Sequence, residues 1–473
     1  MYHTFIGHIK STIQVNQPRQ IMPSLQTLLD DVDDSTLETI ELLQNLVRIP
    51  SVNTGVMPTG DETRVAEFAR DWLVDQDIHA EILGRDPKRG NLIAVVPGDE
   101  SHTPLMLMSH LDVVPVENLG KWQHEPFSGT IASGRVYGRG SSDCKGLLTA
   151  QMMALAILKR NNVHLQKGVR LVSGADEEHG GRWGFGWLAS EHPDQLAAEY
   201  AVNEGGGIPV EFGGALAYLL GTGEKGRLEI HIRVRGESAH ASVPWTGRNS
   251  SFALAKVLSN IEKYRSELDT SLPIFKHLGT FAVEDRPSPT NINRIINQLE
   301  AQSPQLASIL KGLSRMTLTP TMIRGGIKSN SVPETIELTC DVRSLPFQDE
   351  EYVKRQLDQV LDGIDGVEYD IDYMSVPNTS PFDTPLADAV KRAQATAIAR
   401  DDIQWIPSVS TGFTDSRFTR DLGIITYGFS GTHPDDDPML ANVHGTDESI
   451  GISSLVSATR AMIALSYDLC CRQ

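Results

Sequence analysis

Five short segments rich in carboxylates and histidines lie far apart along the chain, and most of them follow a hydrophobic run. They cover residues 105–112, 140–146, 173–178, 202–206 and 442–448. A hydrophobic run that ends in a polar loop is typical of a buried strand whose carboxyl end borders a ligand site. The pattern therefore predicts a layered sheet that brings these loops together at one edge.

The order of the elements predicts an α/β fold. A helical pattern from about Lys145 to Arg160 lies between strand-like runs, and further helices separate the others. The strand-like runs are residues 91–96, 105–109, 169–172 and 200–202. Alternation of strands and helices of these lengths indicates a layered domain with a mainly parallel sheet.

A second pattern interrupts this domain. The apolar residues at 228, 230, 232 and 234 alternate with polar ones, as in a strand with one exposed face. We therefore predict a smaller α+β domain inserted over residues 224–344. It divides the larger domain into residues 1–223, of which 1–33 form an N-terminal extension or peripheral helix, and residues 345–473.

Charge and hydropathy restrict the partners. The formal net charge of −19 argues against nucleic acid and anionic membrane as partners. No run approaches the roughly 18 apolar residues of a transmembrane helix, and the first residues lack the apolar core of a signal peptide. Four cysteines, two of them adjacent at 470 and 471, suit a reducing compartment. We expect a cytoplasmic protein.

The first two acidic segments contain residues suited to a metal site. His110 and Asp112 stand two apart at a strand end, so their side chains leave the same face. His110 can bind a metal through one ring nitrogen while Asp112 holds the other. Asp143, in a glycine-rich loop before a helix, can bridge two cations. A surface loop and a helix N-cap are the alternatives for these two motifs.

Glu177 and Glu178 follow another acid, and three neighbouring carboxylates repel one another. In the functional interpretation, Glu178 is a metal ligand and Glu177 is a general base, because neighbouring glutamates do not easily reach the same ion. A solvated charged turn is the alternative. Glu204 and His444 complete the set, although each alone is compatible with an exposed loop.

The donor set suits two zinc ions that activate water. Two Zn2+ carry a charge of +4, and the three carboxylates Asp143, Glu178 and Glu204 supply −3. A bridging hydroxide would balance the single positive charge that remains. Two metals roughly 3.5–4 Å apart would stabilise the oxygens of a tetrahedral intermediate.

Taken together, these motifs resemble the co-catalytic dizinc exopeptidases and deacylases, which include acetylornithine deacetylase, succinyl-diaminopimelate desuccinylase, aminoacylases and glutamate carboxypeptidases. The resemblance covers about residues 35–470. It implies that His110, Asp143 and Glu204 hold one zinc ion, that Asp143, Glu178 and His444 hold the other, and that Asp112 supports His110. It further implies two Zn2+ per subunit, for which Co2+ or Mn2+ can substitute.

The resemblance also assigns a role to the inserted domain, which would act as a lid and mediate a homodimer. His240, in the segment 238–244, would reach the partner's site and stabilise the oxyanion. Asn330 and Arg343 match substrate-contacting residues. Arg417 matches an arginine that binds the substrate's carboxylate, although a structural salt bridge is an equal alternative.

The expected function is zinc-dependent cleavage of the amide bond of an N-acyl amino acid or short peptide with a free carboxylate, through a metal-bridging water activated by Glu177. The alternatives are a dipeptidase, a catalytically silent binding protein of the same fold, and a cysteine hydrolase acting through Cys144. Glu204, rather than Asp, leans toward the deacylases by resemblance. Residues 270–320 are expected to enlarge the inserted domain with short amphipathic helices.

Overall fold

The structure, a computed structural model, describes residues 22–212 and 214–471. Within these residues it has a large ten-stranded mixed sheet and a smaller four-stranded antiparallel sheet, both covered by helices. The predicted α/β class, with a parallel centre to the large sheet, is confirmed.

The described residues form twelve α-helices: α1 Leu25–Asp34, α2 Thr36–Val47, α3 Thr63–Asp75, α4 Lys145–Arg160, α5 Phe185–Glu191, α6 Ser250–Lys263, α7 Ile292–Glu300, α8 Pro304–Leu313, α9 Glu350–Leu361, α10 Pro385–Ala397, α11 Ser416–Asp421 and α12 Ile452–Cys470. The strands are β1 His79–Leu83, β2 Asn91–Val96, β3 Glu100–His110, β4 Thr130–Ala132, β5 Arg135–Tyr137, β6 Lys167–Gly174, β7 Tyr200–Asn203, β8 Ile208–Phe212, β9 Ala215–Glu224, β10 Gly226–Arg235, β11 Ala239–His240, β12 Thr317–Gly325, β13 Ser331–Val332, β14 Thr335–Ser344, β15 Val367–Ser375, β16 Asn378–Thr379, β17 Gln404–Ser410, β18 Ile425–Gly428 and β19 Ser449–Gly451.

The centre of the large sheet aligns the carboxyl ends of four parallel strands, in the order β6-β3-β7-β18. Register is fixed close to the edge, where His110 lies opposite Gly174. Leu105, Leu107 and their neighbours on β3 are fully buried, as expected of a parallel strand covered on both faces. The loops that follow β3, β6 and β7 therefore emerge side by side.

The small domain consists of the sheet β12-β14-β10-β15 with α6 and α9 against it. The buried positions of β10 alternate as its sequence predicts. Strand β15 lies beyond the predicted boundary at residue 344, yet it pairs along its length with β10. Val353 and Leu357 of α9 belong to the same core. This sheet therefore takes in residues up to 375, because β15 completes it from the far side of α9.

The segment 265–315, hereafter the intervening segment, packs on the large domain. Its buried residues include Phe275, Phe281 and Leu306, which share a core with Leu219 of β9 and Ile406 of β17. Of the residues 270–320 that were expected to enlarge the inserted domain, those up to Leu313 pack on the large domain, whereas Met316 and Leu318 belong to the core of the small one. The apolar faces of α7 and α8 instead share a core with residues of β8, β9 and β17 of the large sheet.

The N-terminal extension is only partly described, and residues 1–21 lie outside the described part. Helix α1 packs against α12, and its Leu28, Leu29 and Val32 are buried. Residues 25–34 are thus an integral part of the large domain and not a peripheral extension. None of the helices among the described residues is both long and apolar enough to span a bilayer.

Candidate metal centre

One carboxylate lies between two imidazoles at the edge of the large sheet. His110 Nε2 is 2.9 Å from Asp143 Oδ1, and His444 Nε2 is 3.1 Å from Asp143 Oδ2. Glu178 Oε2 lies 3.1 Å from His444 Nε2, and Glu204 Oε1 lies 3.5 Å from His110 Nε2. The structure therefore brings the five predicted ligands together, with Asp143 facing both histidines.

Each of these side chains leaves the sheet edge by a different element. His110 ends β3, Asp143 lies in the loop before α4, and Glu178 lies in a short turn after β6. Glu204 follows β7, and His444 lies in the loop that leads to β19. Because β3, β6 and β7 are adjacent and parallel, three of the five loops are neighbours by sheet geometry alone.

Burial and mutual repulsion dominate the electrostatics of the cluster. Burial raises the pKa of Glu178 to about 7, with the Asp143 carboxylate adding to the effect. Burial likewise raises the pKa of Glu177 and of Glu204. Hydrogen bonds to Asp143 and Glu178 raise the pKa of His444 to about 10. Carboxylates whose ionisation is opposed by burial and by one another, beside imidazoles, form a donor set whose repulsion a divalent cation would relieve.

Asp143 behaves differently from the other carboxylates. Burial opposes its ionisation, but hydrogen bonds from His110 and His444 lower its pKa below the ordinary value. A carboxylate that stays ionised between two nitrogen donors suits a bridging ligand. Nitrogen and carboxylate oxygen are both common zinc donors, so the residues present fit the metal that the sequence predicts.

Asp112 contacts His110 and the backbone of the loop that carries Glu177 and Glu178. His110 Nδ1 lies 3.0 Å from the Asp112 carbonyl and 3.5 Å from its carboxylate. Asp112 Oδ1 accepts the backbone N–H of Glu177, and Oδ2 accepts that of Glu178, each at 3.1 Å. One carboxylate thus orients a predicted ligand and fixes the backbone of two further site residues.

A buried network beyond Asp112 was not predicted. Asn53 Nδ2 donates to Asp112 Oδ2 at 2.8 Å and to Asp176 Oδ1 at 3.0 Å. Arg89 donates to Asp176 at 2.9 Å and to Glu62 at 2.7 Å, and both Arg89 and Glu62 are almost inaccessible. Asp176 is part of the predicted acidic segment, but no local sequence pattern indicates that Asn53 or Arg89 reaches it from distant segments.

A second buried pair holds the loops of Asp143 and His444 together. Glu448 Oε1 accepts the backbone N–H groups of Ser142 and Asp143, each at 3.0 Å. Arg139 donates to Glu448 at 2.6 Å and to the carbonyl of His444 at 3.2 Å. Arg139 lies next to one of the acidic segments and Glu448 lies in another. This position in the sequence is the signal from which their part in the site could have been predicted.

The predicted substrate residues of the small domain lie outside this cluster. His240 is exposed on the two-stranded ribbon β11-β13, where the backbone N–H of Ala241 donates to the Asn330 carbonyl. Asn330 is exposed as well. Arg343 is half-buried and donates to Asp341 at 2.8 Å. None of the contacts of His240 among the described residues is with the five predicted ligands.

Arg417 is held by backbone atoms. Its guanidinium donates to the carbonyls of Met374 and Gly180, and it stacks on the rings of Phe413 and Phe418. Met374 belongs to β15 of the small domain, whereas Gly180 follows the predicted base and ligand at 177 and 178. These contacts are with backbone carbonyls and aromatic rings and do not include the salt bridge that the sequence left open, and the substrate-binding role of Arg417 stays a prediction.

Cys144 lies beside the centre but is almost completely buried. Its Sγ is within 4.8 Å of a ligand atom of His110 and of Glu204. Burial, with Glu204 nearby, raises the pKa of the thiol well above its ordinary value. A thiol that resists ionisation is a poor nucleophile, which argues against the cysteine hydrolase.

A cluster of imidazoles and carboxylates at the carboxyl edge of a parallel sheet defines the class of metal-dependent hydrolases. Residues 106–468 match the model of Peptidase family M20/M25/M40. The chain belongs to this family and is a metallohydrolase.

Named proteins and solved structures agree with this assignment. The chain is 28% identical to a "probable succinyl-diaminopimelate desuccinylase" of Staphylococcus aureus, over 81% of this chain and 86% of the relative. An M20 family metallo-carboxypeptidase from Sulfolobus solfataricus has a TM-score of 0.70 at 21% identity, covering 90% of this chain and 98% of that one. The dipeptidase Dug1p from Saccharomyces cerevisiae has a TM-score of 0.68 at 15% identity, covering 93% and 98%. Both structures show a shared fold.

On the two-zinc interpretation of the sequence, we predict that Asp143→Ala removes both metal ions, because its two oxygens lie 2.9 Å from His110 Nε2 and 3.1 Å from His444 Nε2. Glu178→Ala should remove only one, and Asp401→Ala, at an exposed position, should remove neither. The measurement is zinc per chain after dialysis, by mass spectrometry of the metal. If Asp143→Ala retained as much zinc as Glu178→Ala, the carboxylate would not be shared.

We also predict that Asn53→Ala lowers turnover by roughly 10- to 100-fold, because outer hydrogen bonds orient metal ligands and their loops. The substitution removes the side-chain amide that donates hydrogen bonds to both Asp112 and Asp176. Steady-state kinetics and zinc affinity measure the effect. Asn45→Ala, which removes only a contact with the side chain of Arg48 near the surface, is the control. Equal turnover of the two variants would show that the network does not position the centre.

Proposed function

We propose that the protein is a dizinc hydrolase that cleaves the amide bond of an N-acyl amino acid or a short peptide with a free carboxylate. The observation that carries this proposal is the placement of Asp143 between His110 and His444, with Glu178 and Glu204 on either side. By this proposal His110, Asp143 and Glu204 hold one ion, and Asp143, Glu178 and His444 hold the other.

When bound, two zinc ions polarise a carbonyl oxygen and lower the pKa of water. The protein's own contribution is proton transfer by Glu177. Its backbone N–H is fixed on Asp112, and its side chain is buried. Burial and the Glu204 carboxylate raise its pKa, which suits a group that takes a proton from water and gives it to the leaving nitrogen.

The small domain is proposed to bind the leaving amino acid. Arg343 carries a guanidinium, the group that best matches a carboxylate, and Asn330 offers an amide on the same domain. Arg417 is proposed to support them by tying β15 to the loop after Glu178. The substrate carboxylate would then lie on the side of the centre that faces the small domain.

His240 is proposed to act in the site of a partner subunit of a homodimer. It is exposed and makes its side-chain hydrogen bond to Ser242 on its own loop. Strand β12 forms one edge of the small sheet, and its Met322 and Ile323 are exposed, as is the nearby Ile327. Exposed apolar side chains on an edge strand favour pairing with a second copy.

A dipeptidase remains the second candidate, supported by the fold shared with Dug1p. A silent binding protein is disfavoured because the predicted base is intact beside a complete ligand set.

The test is an assay of zinc- and cobalt-loaded protein on a panel of N-acyl amino acids and dipeptides. We expect hydrolysis of at least one N-acyl amino acid. We expect Glu177→Gln, which keeps the shape but cannot take the proton, to lower kcat by about 10²- to 10⁴-fold. Zinc content should stay at the wild-type value. Near-normal turnover by Glu177→Gln would refute the proton-transfer role, and a fully inactive wild-type panel would refute the proposed reaction.

A further inference from the structure

A cavity of about 350 Å³ opens directly beside the candidate metal centre. Asp143 and Glu204, two of the predicted ligands, form part of its wall. The cavity then extends between the first turns of α4 and α12 and the loop at 436–443. Its size is at the lower end of the range of roughly 300–1,000 Å³ typical of small-molecule sites. It can therefore hold one part of a molecule whose reacting atom lies at the centre.

Besides the four carboxylates of Asp143, Glu204, Asp436 and Asp437, the lining combines apolar side chains with uncharged polar ones. Its larger apolar side chains are Leu147, Ile208, Pro438, Val443 and Ile450. None of the described residues that line the cavity is a lysine, an arginine or a histidine. A second carboxylate on a ligand would therefore enter this cavity without a cationic partner, and burying an unpaired carboxylate is costly.

Two carboxylates beside the cavity, Asp436 and Glu448, accept backbone N–H groups of the chain. Asp436 accepts the N–H of Gly451, just before α12, and also pairs with Arg135. Glu448 accepts the N–H of Asp143 and of its neighbour just before α4. Asp437 adds an exposed carboxylate to the wall. Because four of the described lining residues carry carboxylates and none carries a basic side chain, the fixed charge of the wall is negative.

The position of the cavity identifies which half of a substrate it receives. None of its described lining residues comes from the small domain, where Arg343 lies, and Glu177 is not among them either. The two halves of an amide leave the scissile carbon in opposite directions. If the leaving amino acid extends toward Arg343 and receives its proton from Glu177, the acyl half extends into the cavity.

We infer that this cavity is an apolar acyl pocket that accepts uncharged branched or aromatic acyl groups and rejects acyl groups with a second carboxylate, such as succinyl. The inference rests on the proposed function and adds its acyl selectivity. It also assigns a specific part to the intervening segment, because Gln305 of α8 is the only described lining residue that this segment supplies.

Gln305 is the position at which the proposed selectivity between uncharged and carboxylate-bearing acyl groups can be changed. It is half-buried, uncharged and in the first turn of α8, while the next residue, Leu306, anchors that helix in the core. Replacing Gln305 with arginine would bring a cation to the cavity wall without touching a predicted ligand. Ser308, on the same helix, is exposed and is not part of the lining, so Ser308→Arg is the matched control.

The experiment compares N-succinyl and N-(4-methylpentanoyl) derivatives of L-methionine and of LL-diaminopimelate with zinc-loaded protein. The two acyl groups have the same number and connectivity of non-hydrogen atoms, since two methyl groups replace the two carboxylate oxygens. We expect kcat/KM for the 4-methylpentanoyl derivative to exceed that for the succinyl derivative by at least ~100-fold. Gln305→Arg should narrow this ratio by about tenfold through a hydrogen bond to a charged group, and Ser308→Arg should leave it unchanged.

The outcomes separate the pocket from the reaction. Equal or faster hydrolysis of the succinyl derivatives would overturn the apolar pocket while leaving the proposed hydrolase in place. An inert 4-methylpentanoyl pair, with other N-acyl amino acids of the panel hydrolysed, would overturn it as well. A ratio shifted equally by Gln305→Arg and Ser308→Arg would remove Gln305 from the pocket. If no compound of the panel is hydrolysed, the proposed function itself fails.

Discussion

The carboxylate of Asp143, held between two imidazoles, is the constraint on which the rest of the site depends. Its two oxygens approach His110 and His444 within about hydrogen-bond distance, although these residues are more than 300 positions apart in the chain. Meeting that requirement needs a rigid frame. The parallel strands β3, β6 and β7 place His110, Glu178 and Glu204 side by side. The pair of Arg139 and Glu448 holds the loops of Asp143 and His444 together.

Concentrating so much charge in a buried region requires that each group have a partner. The Asp112 carboxylate accepts hydrogen bonds from two backbone N–H groups and from the Asn53 side chain. Arg89 is shared between Glu62 and Asp176, and Arg139 pairs with Glu448. A buried ion pair stabilises little in itself, but removing one partner leaves an uncompensated charge. These pairs therefore fix where the loops lie more than they add to stability.

The sequence was a good guide where a pattern is local. Helix α4, from Lys145 to Arg160, and the strand 91–96 were predicted with the bounds that the structure has, because their periodicity is complete within the segment. The amphipathic helices of the intervening segment show one apolar face, but a face does not reveal its partner surface. The sequence therefore could not show that they pack on the large sheet and not on the small domain. Strand β15 was missed as part of the small sheet because its pairing with β10 joins residues about 140 positions apart. Asn53 and Arg89 lack any local signal.

By the proposals above, a substrate is divided between Arg343 on the small domain and a cavity of the large domain whose described lining has no basic side chain. The most direct test is a crystal of the zinc-loaded protein with anomalous diffraction data collected on both sides of the zinc edge. The account predicts two anomalous peaks roughly 3.5–4 Å apart, with one Asp143 oxygen beside each. A single peak, or two peaks that share no carboxylate, would contradict it.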